Sequence, residues 1–184
     1  MLEGTLAATA ALLLVASAVL WIWRGGPRLA EGSVAPEFAL ADQDGHVRRR
    51  ADYAGRWLVL YFYPKDDTPG CTKQACHFRD APGLVDDPGV SLVGISTDTV
   101  ASHARFARTL RLPFPLLADP DGRTARAYDS LLNLGVVKIA RRHTFVITPE
   151  GRIAARFDKV DPVHHAEDVA RVIGALRSCG SGTV

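Results

Sequence analysis

Cys71 and Cys76, five positions apart, are the residues of this chain best suited to chemistry. They close the run Tyr61-Phe62-Tyr63-Pro64-Lys65-Asp66-Asp67-Thr68-Pro69-Gly70-Cys71-Thr72-Lys73-Gln74-Ala75-Cys76. A thiolate is the reactive form of cysteine, and an ordinary thiol, with pKa ~8.5, is only a few per cent ionised at pH 7. A nucleophilic cysteine therefore needs surroundings that favour the anion. Cys71 falls just past an apolar run that reads as a buried strand, and at the start of a helix. Free N–H groups and partial positive charge at a helix N-terminus favour a thiolate, and strand ends are where ligands meet open α/β sheets. Thr68 places a hydroxyl three residues before the sulfur, able to bond an incoming oxygen ligand. Pro64 fixes the loop and shields the sulfur from water. On one helix, Cα atoms five residues apart are roughly 8–9 Å apart, whereas a disulfide needs less than ~7 Å. The pair suits a cycle with two conformations better than a static bridge.

The elements that must hold these residues follow from the apolar pattern. Trp57 to Tyr63 is a continuous apolar run stopped by Pro64, and Val90 to Ser96 is a second; both read as strands buried on two faces. Pro36 to Leu40 reads as an extended entry and Asp44-Gly45 as a turn. His143 to Thr148 and Arg152 to Asp158 flank Pro149-Glu150-Gly151, a hairpin signal. Helical stretches fall at Thr72 to Asp80, at Ala101 to Leu110 with Asp98 or Thr99 as cap, and at Gly122 to Tyr128. The last runs from Pro162 to Leu176 with Asp161 as cap. The order predicts a three-layer α/β domain with a mixed sheet.

The chain has 184 residues, 47% apolar and 23% charged, which excludes a disordered or fibrous protein. A net charge of +2 offers no surface for nucleic acid, and three cysteines are too few for a secreted disulfide scaffold. Thr5 to Trp23 carries no charge and would span roughly 28 Å as a helix, close to a bilayer's hydrocarbon thickness. Trp21 and Trp23 sit at its end, where indoles favour the membrane interface. A cleaved signal peptide fits less well: Glu3 and no Lys or Arg precede the run, and its Ala16-Ser17-Ala18 lies inside it. The expected organisation is a membrane anchor at 1–24, a linker at 25–31 broken by Gly25-Gly26-Pro27, a catalytic domain at 32–177 and a flexible tail at 178–184. Arg24 and Arg28 favour the domain on the cytoplasmic side, with the periplasmic side as the alternative.

The run Pro64-x-x-x-Thr68-x-x-Cys71 resembles the active-site signature of peroxiredoxins. Cys76 five residues later resembles their Q-type, or bacterioferritin comigratory protein, subfamily. The likeness continues through Gly94 to Asp98, Leu112 to Asp119 and Arg142 to Ile147, and covers about Gly32 to Leu176. It implies a thioredoxin-like sandwich and a thiol-dependent peroxidase acting on hydrogen peroxide and organic hydroperoxides. By that resemblance Cys71 is the peroxidatic cysteine, oxidised to a sulfenic acid. Thr68 and the Cys71 N–H orient the peroxide, and Arg142 stabilises the developing charge. Arg141 stands beside it, and strand alternation lets only one of the two face the site. Cys76 is then the resolving cysteine, forming an intramolecular disulfide that thioredoxin or a similar dithiol reduces. The resemblance also implies a monomer and no metal, haem or flavin cofactor.

Two other functions share the fold. A membrane-tethered thiol–disulfide oxidoreductase would call for C-x-x-C, not the C-x4-C found here. A copper-binding assembly protein wants a close cysteine pair and a positioned histidine, for which His143 is the candidate. Cys179 reads as a surface thiol of the tail, and His164-His165 as a solvated helix start. His103 and His143 read as structural or surface groups. Asp42-Gln43-Asp44-Gly45 resembles part of a calcium loop but lacks its Glu, and reads as a turn. Arg48-Arg49-Arg50 reads as a solvated edge rather than a lipid contact.

Overall fold

The computed structural model describes residues 29–135 and 137–180, with side chains to 178. The apolar segment Thr5 to Trp23, read above as a membrane anchor, lies outside them. Among the described residues no helix is long and apolar enough to cross a membrane. Residues Glu31–Val184 form one compact unit.

Among the described residues nine strands make two sheets. They are β1 (Ala39–Asp42), β2 (Val47–Arg49), β3 (Trp57–Phe62), β4 (Val90–Ser96), β5 (Leu116–Ala118), β6 (Leu131–Asn133), β7 (Lys138–Ala140), β8 (Thr144–Ile147) and β9 (Ile153–Phe157). The main sheet has the order β2-β1-β5-β4-β3-β8-β9, and β6-β7 is a separate hairpin. The helices are α1 (Pro69–Arg79), a single turn α2 (Pro82–Val85), α3 (Val100–Leu110), α4 (Arg123–Ala127) and α5 (His165–Gly180).

The two apolar runs are the centre of the sheet. β3 and β4 pair in parallel, Trp57 opposite Val90 through Phe62 opposite Ile95. β4 pairs in parallel with β5, while β8 runs antiparallel to β3. Being covered on both faces, β3 and β4 carry no alternation of polar residues, as expected of interior strands. Val59, Tyr61, Tyr63 and Val146 face a core closed by Phe78 of α1, Leu84 of α2, Phe106 of α3 and Val169 and Ile173 of α5. On the other face Phe145 packs edge to face on Phe62 and Tyr128, which are tilted against each other, with centroids 5.2–5.9 Å apart. Gly94 is required where the layers meet. A Cβ there would stand 2.7 Å from both Leu116 Cδ2 and Tyr61 Cζ. This is a thioredoxin-like α/β fold with a mixed central sheet, the class the sequence predicts.

Several boundaries differ from the sequence reading. The helix carrying the cysteines begins at Pro69, not Thr72, because Pro is suited to the first helical position and Thr68 is its extended N-cap residue. α3 is capped by Thr99, whose hydroxyl accepts from Ser102 N at 3.3 Å. Pro162 to His164 form a turn, with Asp161 Oδ1 accepting from Val163 N at 3.1 Å, and helix geometry starts at His165. α5 then runs to Gly180, so Cys179, expected in a tail from 178, belongs to the helix. The Asp44-Gly45 turn joins β1 to β2. Asp42 holds it by accepting from Asp44 N, His46 N and Arg48 Nε. Asp42, Asp44 and His46 do lie close together, but both oxygens of Asp42 are already engaged by the turn and Arg48.

Candidate active site

Cys71 is placed by the way β3 hands over to α1. β3 ends at Phe62, Tyr63 and Pro64 follow, and the chain crosses the end of the sheet to Thr68. Pro69, Gly70 and Cys71 are the first three residues of α1. The Thr72 N–H makes the first intrahelical bond, to Thr68 O at 2.9 Å. By helix geometry the N–H groups of Gly70 and Cys71 precede that bond and have no intrahelical acceptor. Thr68 does not cap them with its side chain. Its hydroxyl donates instead to Lys65 O at 3.1 Å, leaving the oxygen lone pairs able to accept. Cys71 itself is buried, 2% exposed.

Arg142 reaches the sulfur from the opposite side. It lies in the link between β7 and β8, where His143 N bonds back to Arg141 O at 2.9 Å and Phe62 N donates to His143 O at 2.8 Å. Arg142 Nη2 donates to Cys71 Sγ at 3.2 Å. Arg141 is exposed. Arg142 Nη1 donates to Gln74 Oε1, a contact that orients the guanidinium. Gln74 is fully buried one helical turn after Cys71, and its Nε2 has no hydrogen-bond partner. The sequence reading gave Gln74 no role, although its i+3 spacing places it on the face of Cys71. The same guanidinium passes close to Gly70, where a Cβ would lie 3.4 Å from Arg142 Nη2, an ordinary contact.

Cys76 is half-buried on α1, and both cysteines are free thiols. Pro64 is half-buried at the end of β3. Thus Cys71 and Arg142 meet, with Thr68 the N-cap of the helix that carries the thiol, whereas Cys76 sits on the same regular helix at a separation that helix geometry makes too long for a bridge.

The histidines divide differently from the sequence reading. His164 is exposed and bonds Asp161, while His165 is buried. The first turn of α5 presses His165 edge-on against Phe78 of α1 and Phe157 of β9, with Nε2 2.8 Å from Thr144 Oγ1. Burial, aided by the charge of Arg142, pushes its pKa down to about 4 against the pull of Asp168. His143 is buried too, with Nδ1 3.0 Å from Ser130 Oγ and Nε2 3.7 Å from Asp158 Oδ1, so both ring nitrogens face partners within the fold. His103 is wholly buried and pairs with Asp66 in the loop ahead of Thr68, at 2.9 Å.

A thiol at an uncapped helix N-terminus, with a guanidinium donating to its sulfur, has the surroundings of a nucleophile, and a polar substrate can bond the free donors beside it. The chain matches the AhpC/TSA family over residues 32–156. It is 41% identical over 149 residues to the putative peroxiredoxin bcp of Coxiella burnetii, covering 79% of this chain and 97% of that one. The crystal structure of peroxidoxin BcpB from Mycobacterium tuberculosis superposes with a TM-score of 0.76 at 35% identity, covering 82% of this chain and 99% of that one. The bacterioferritin comigratory protein of Xanthomonas campestris does so with a TM-score of 0.69 at 34% identity, covering 75% and 90%. With a fold and a sequence shared along nearly the whole length of such relatives, the chain belongs to the AhpC/TSA family and is a peroxiredoxin, a thiol-dependent peroxidase.

Proposed function

We propose that Cys71 is the peroxidatic cysteine and Cys76 its resolving partner. The Cys71 thiolate attacks the distal oxygen of a hydroperoxide, and the O–O bond breaks. The sulfur takes that oxygen as a sulfenic acid, and the other oxygen leaves as alkoxide or hydroxide and gains a proton. Arg142 stabilises the thiolate and the charge that builds on the breaking bond. The Thr68 oxygen accepts a hydrogen bond from the peroxide, and the N–H groups at the start of α1 donate to it. Pro64 limits water at the sulfur.

The Cys76 thiolate then attacks the Cys71 sulfur, an S–S bond forms, and the oxygen leaves as water. That step needs α1 to unwind between the two cysteines, because its regular turns hold them apart. An external dithiol of the thioredoxin kind restores both thiols by exchange. The substrates are hydrogen peroxide and alkyl hydroperoxides. The Xanthomonas campestris relative, with its alkyl peroxide reduction activity, supports the second class. We also infer that Thr5 to Trp23 tethers a monomeric enzyme to a membrane, with its domain on the cytoplasmic side.

The observation that carries the chemistry is the 3.2 Å contact from Arg142 Nη2 to Cys71 Sγ at the start of α1. Cys71→Ser in the full chain is expected to abolish peroxide consumption with thioredoxin and its reductase present. Full activity in that variant would overturn the assignment.

A further inference from the structure

The loop that delivers Thr68 and Cys71 is tied into the core by one carboxylate. Lys65 and Asp67 are exposed, but the Asp66 side chain between them turns inward and is 4% exposed. Asp66 Oδ1 accepts from Tyr63 OH at 2.8 Å, and Oδ2 lies 2.9 Å from His103 Nδ1 on α3. The Asp66 N–H donates to Asp98 Oδ2 at 2.8 Å, which also accepts from Ser96 Oγ. His103 Nε2 lies 3.2 Å from Leu117 O in β5. His103 Nδ1 also lies 3.2 Å from Tyr63 OH, so carboxylate, phenol and imidazole form one buried network.

A buried polar network is a poor way to gain stability. Apolar residues of similar volume commonly serve as well or better, because they avoid desolvating polar groups. What directed hydrogen bonds supply is a fixed geometry. The loop needs one: Asp67, next to Asp66, has φ 58°, a left-handed conformation that costs a non-glycine residue about 1 kcal/mol. The residue after it, Thr68, is the N-cap of α1.

We propose that His103, acting through Asp66, is a positioning residue for the peroxide step. It fixes the loop from Pro64 to Thr68 so that the Thr68 hydroxyl and the free N–H groups of α1 stay in register with Arg142. Cys71 is thereby held between two supports, Arg142 from the β7–β8 link and the Asp66–His103 pair from α3 and β5. Displacements of about 1 Å at a reacting centre can cost about a hundredfold in rate, so a small relaxation of this loop is enough to matter. The inference rests on Cys71 being the reacting thiol. The Cys71→Ser result tests that separately.

The test is the full chain with both partners replaced, Asp66→Ala/His103→Leu, which leaves no orphaned charge. Melting is followed beside steady-state peroxide kinetics. The double variant is expected to melt within a few degrees of the wild type, yet to lose at least about tenfold in kcat/KM for hydrogen peroxide, mostly through KM. His103→Leu alone, which strands the carboxylate, is expected to lower the melting temperature as well. A well-folded double variant with wild-type kcat/KM would overturn the proposal and leave the pair a structural element only. Should the double variant not fold, Asp66→Asn decides. Its amide keeps the size and one of the two acceptors but not the charge, and a severalfold loss of kcat/KM is expected at a temperature where the variant is fully folded, with some loss of melting temperature beside it. An unchanged kcat/KM there would overturn the proposal equally.

Discussion

Arg142 meets the sulfur of Cys71 with one arm of its guanidinium and the side-chain oxygen of Gln74 with the other. Both contacts fall on the first turn and a half of α1, so the arginine spans the thiol and the helix that carries it. Two parallel donors in a rigid plane make this an arginine's task, which a lysine's single ammonium does not reproduce.

Arg142→Ala is therefore expected to slow the peroxide reaction of Cys71 by about a hundredfold, the usual scale for removing one preorganised donor from a developing charge. Arg142→Lys is expected to recover only part of this. Arg141→Ala, at the exposed neighbour, is expected to react at the wild-type rate. Stopped-flow oxidation of the reduced full chain by hydrogen peroxide checks all three. Equal losses at Arg141 and Arg142 would mean that the link between β7 and β8 matters only as structure.

Cys76→Ser is expected to permit a single turnover. Its Cys71 sulfenic acid, lacking a thiol within the helix, is expected to persist long enough to be trapped by a sulfenic-acid reagent, while turnover with thioredoxin falls by tenfold or more, as an order of magnitude. Mass spectrometry of the peroxide-treated wild type is expected to show Cys71 linked to Cys76. A bridge to Cys179 instead would move the resolving role to α5.

The reach of the sequence in this protein follows the range of the interactions. β3 and β4 are legible because burial on both faces leaves an unbroken apolar run. Cys71, Thr68 and Pro64 are legible because they share one short segment, and Arg142 through its place in a motif. β5, at Leu116–Ala118, and the β6–β7 hairpin are too short to show a period. Gln74 shows no signal of its own, His103 reads only as a structural or surface group, and His165 reads as a solvated helix start, for another reason. Each looks like an ordinary surface residue in its own segment, and each is buried only by what another element brings to it: Arg142 to Gln74, Asp66 to His103, Phe78 and Phe157 to His165. Asp161 does carry an N-terminal signal, but the chain spends three more residues in a turn before α5 begins.

Gly94→Ala is expected to destabilise the domain by about 1–3 kcal/mol, the cost of forcing a methyl into a filled core. β4 has no room to give, since Gly94 pairs with Tyr61 on one side and Leu116 on the other. Tyr61 packs on Phe78 of α1 with centroids 4.8 Å apart, so relief of the clash is expected to move the helix that carries both cysteines. Urea unfolding gives the stability, and an unshifted midpoint would show that the Tyr61 ring can yield.

Lowering the pH is expected to loosen the seat of α1 through His165. In the folded protein its pKa is held down to about 4, chiefly by burial, from an ordinary value of 6.5. The unfolded chain therefore takes up a proton that the folded chain refuses. The neutral histidine's contribution is fully present above about pH 6.5 and is lost progressively as the pH falls from there towards 4. The full difference corresponds to roughly 3 kcal/mol. His143, also held down by burial, and Asp66, held down by His103, add losses of the same sign at their own pH, so the comparison must be between variants. His165→Gln keeps a donor towards Thr144 but does not titrate. Its stability is expected to fall less steeply than that of the wild type between pH 6.5 and 4.5. Because Phe78 of α1 lies on the His165 ring, hydrogen exchange in α1 is expected to quicken over the same range in the wild type and less in the variant. Parallel pH curves for the two proteins would show that His165 is not the group that loosens α1.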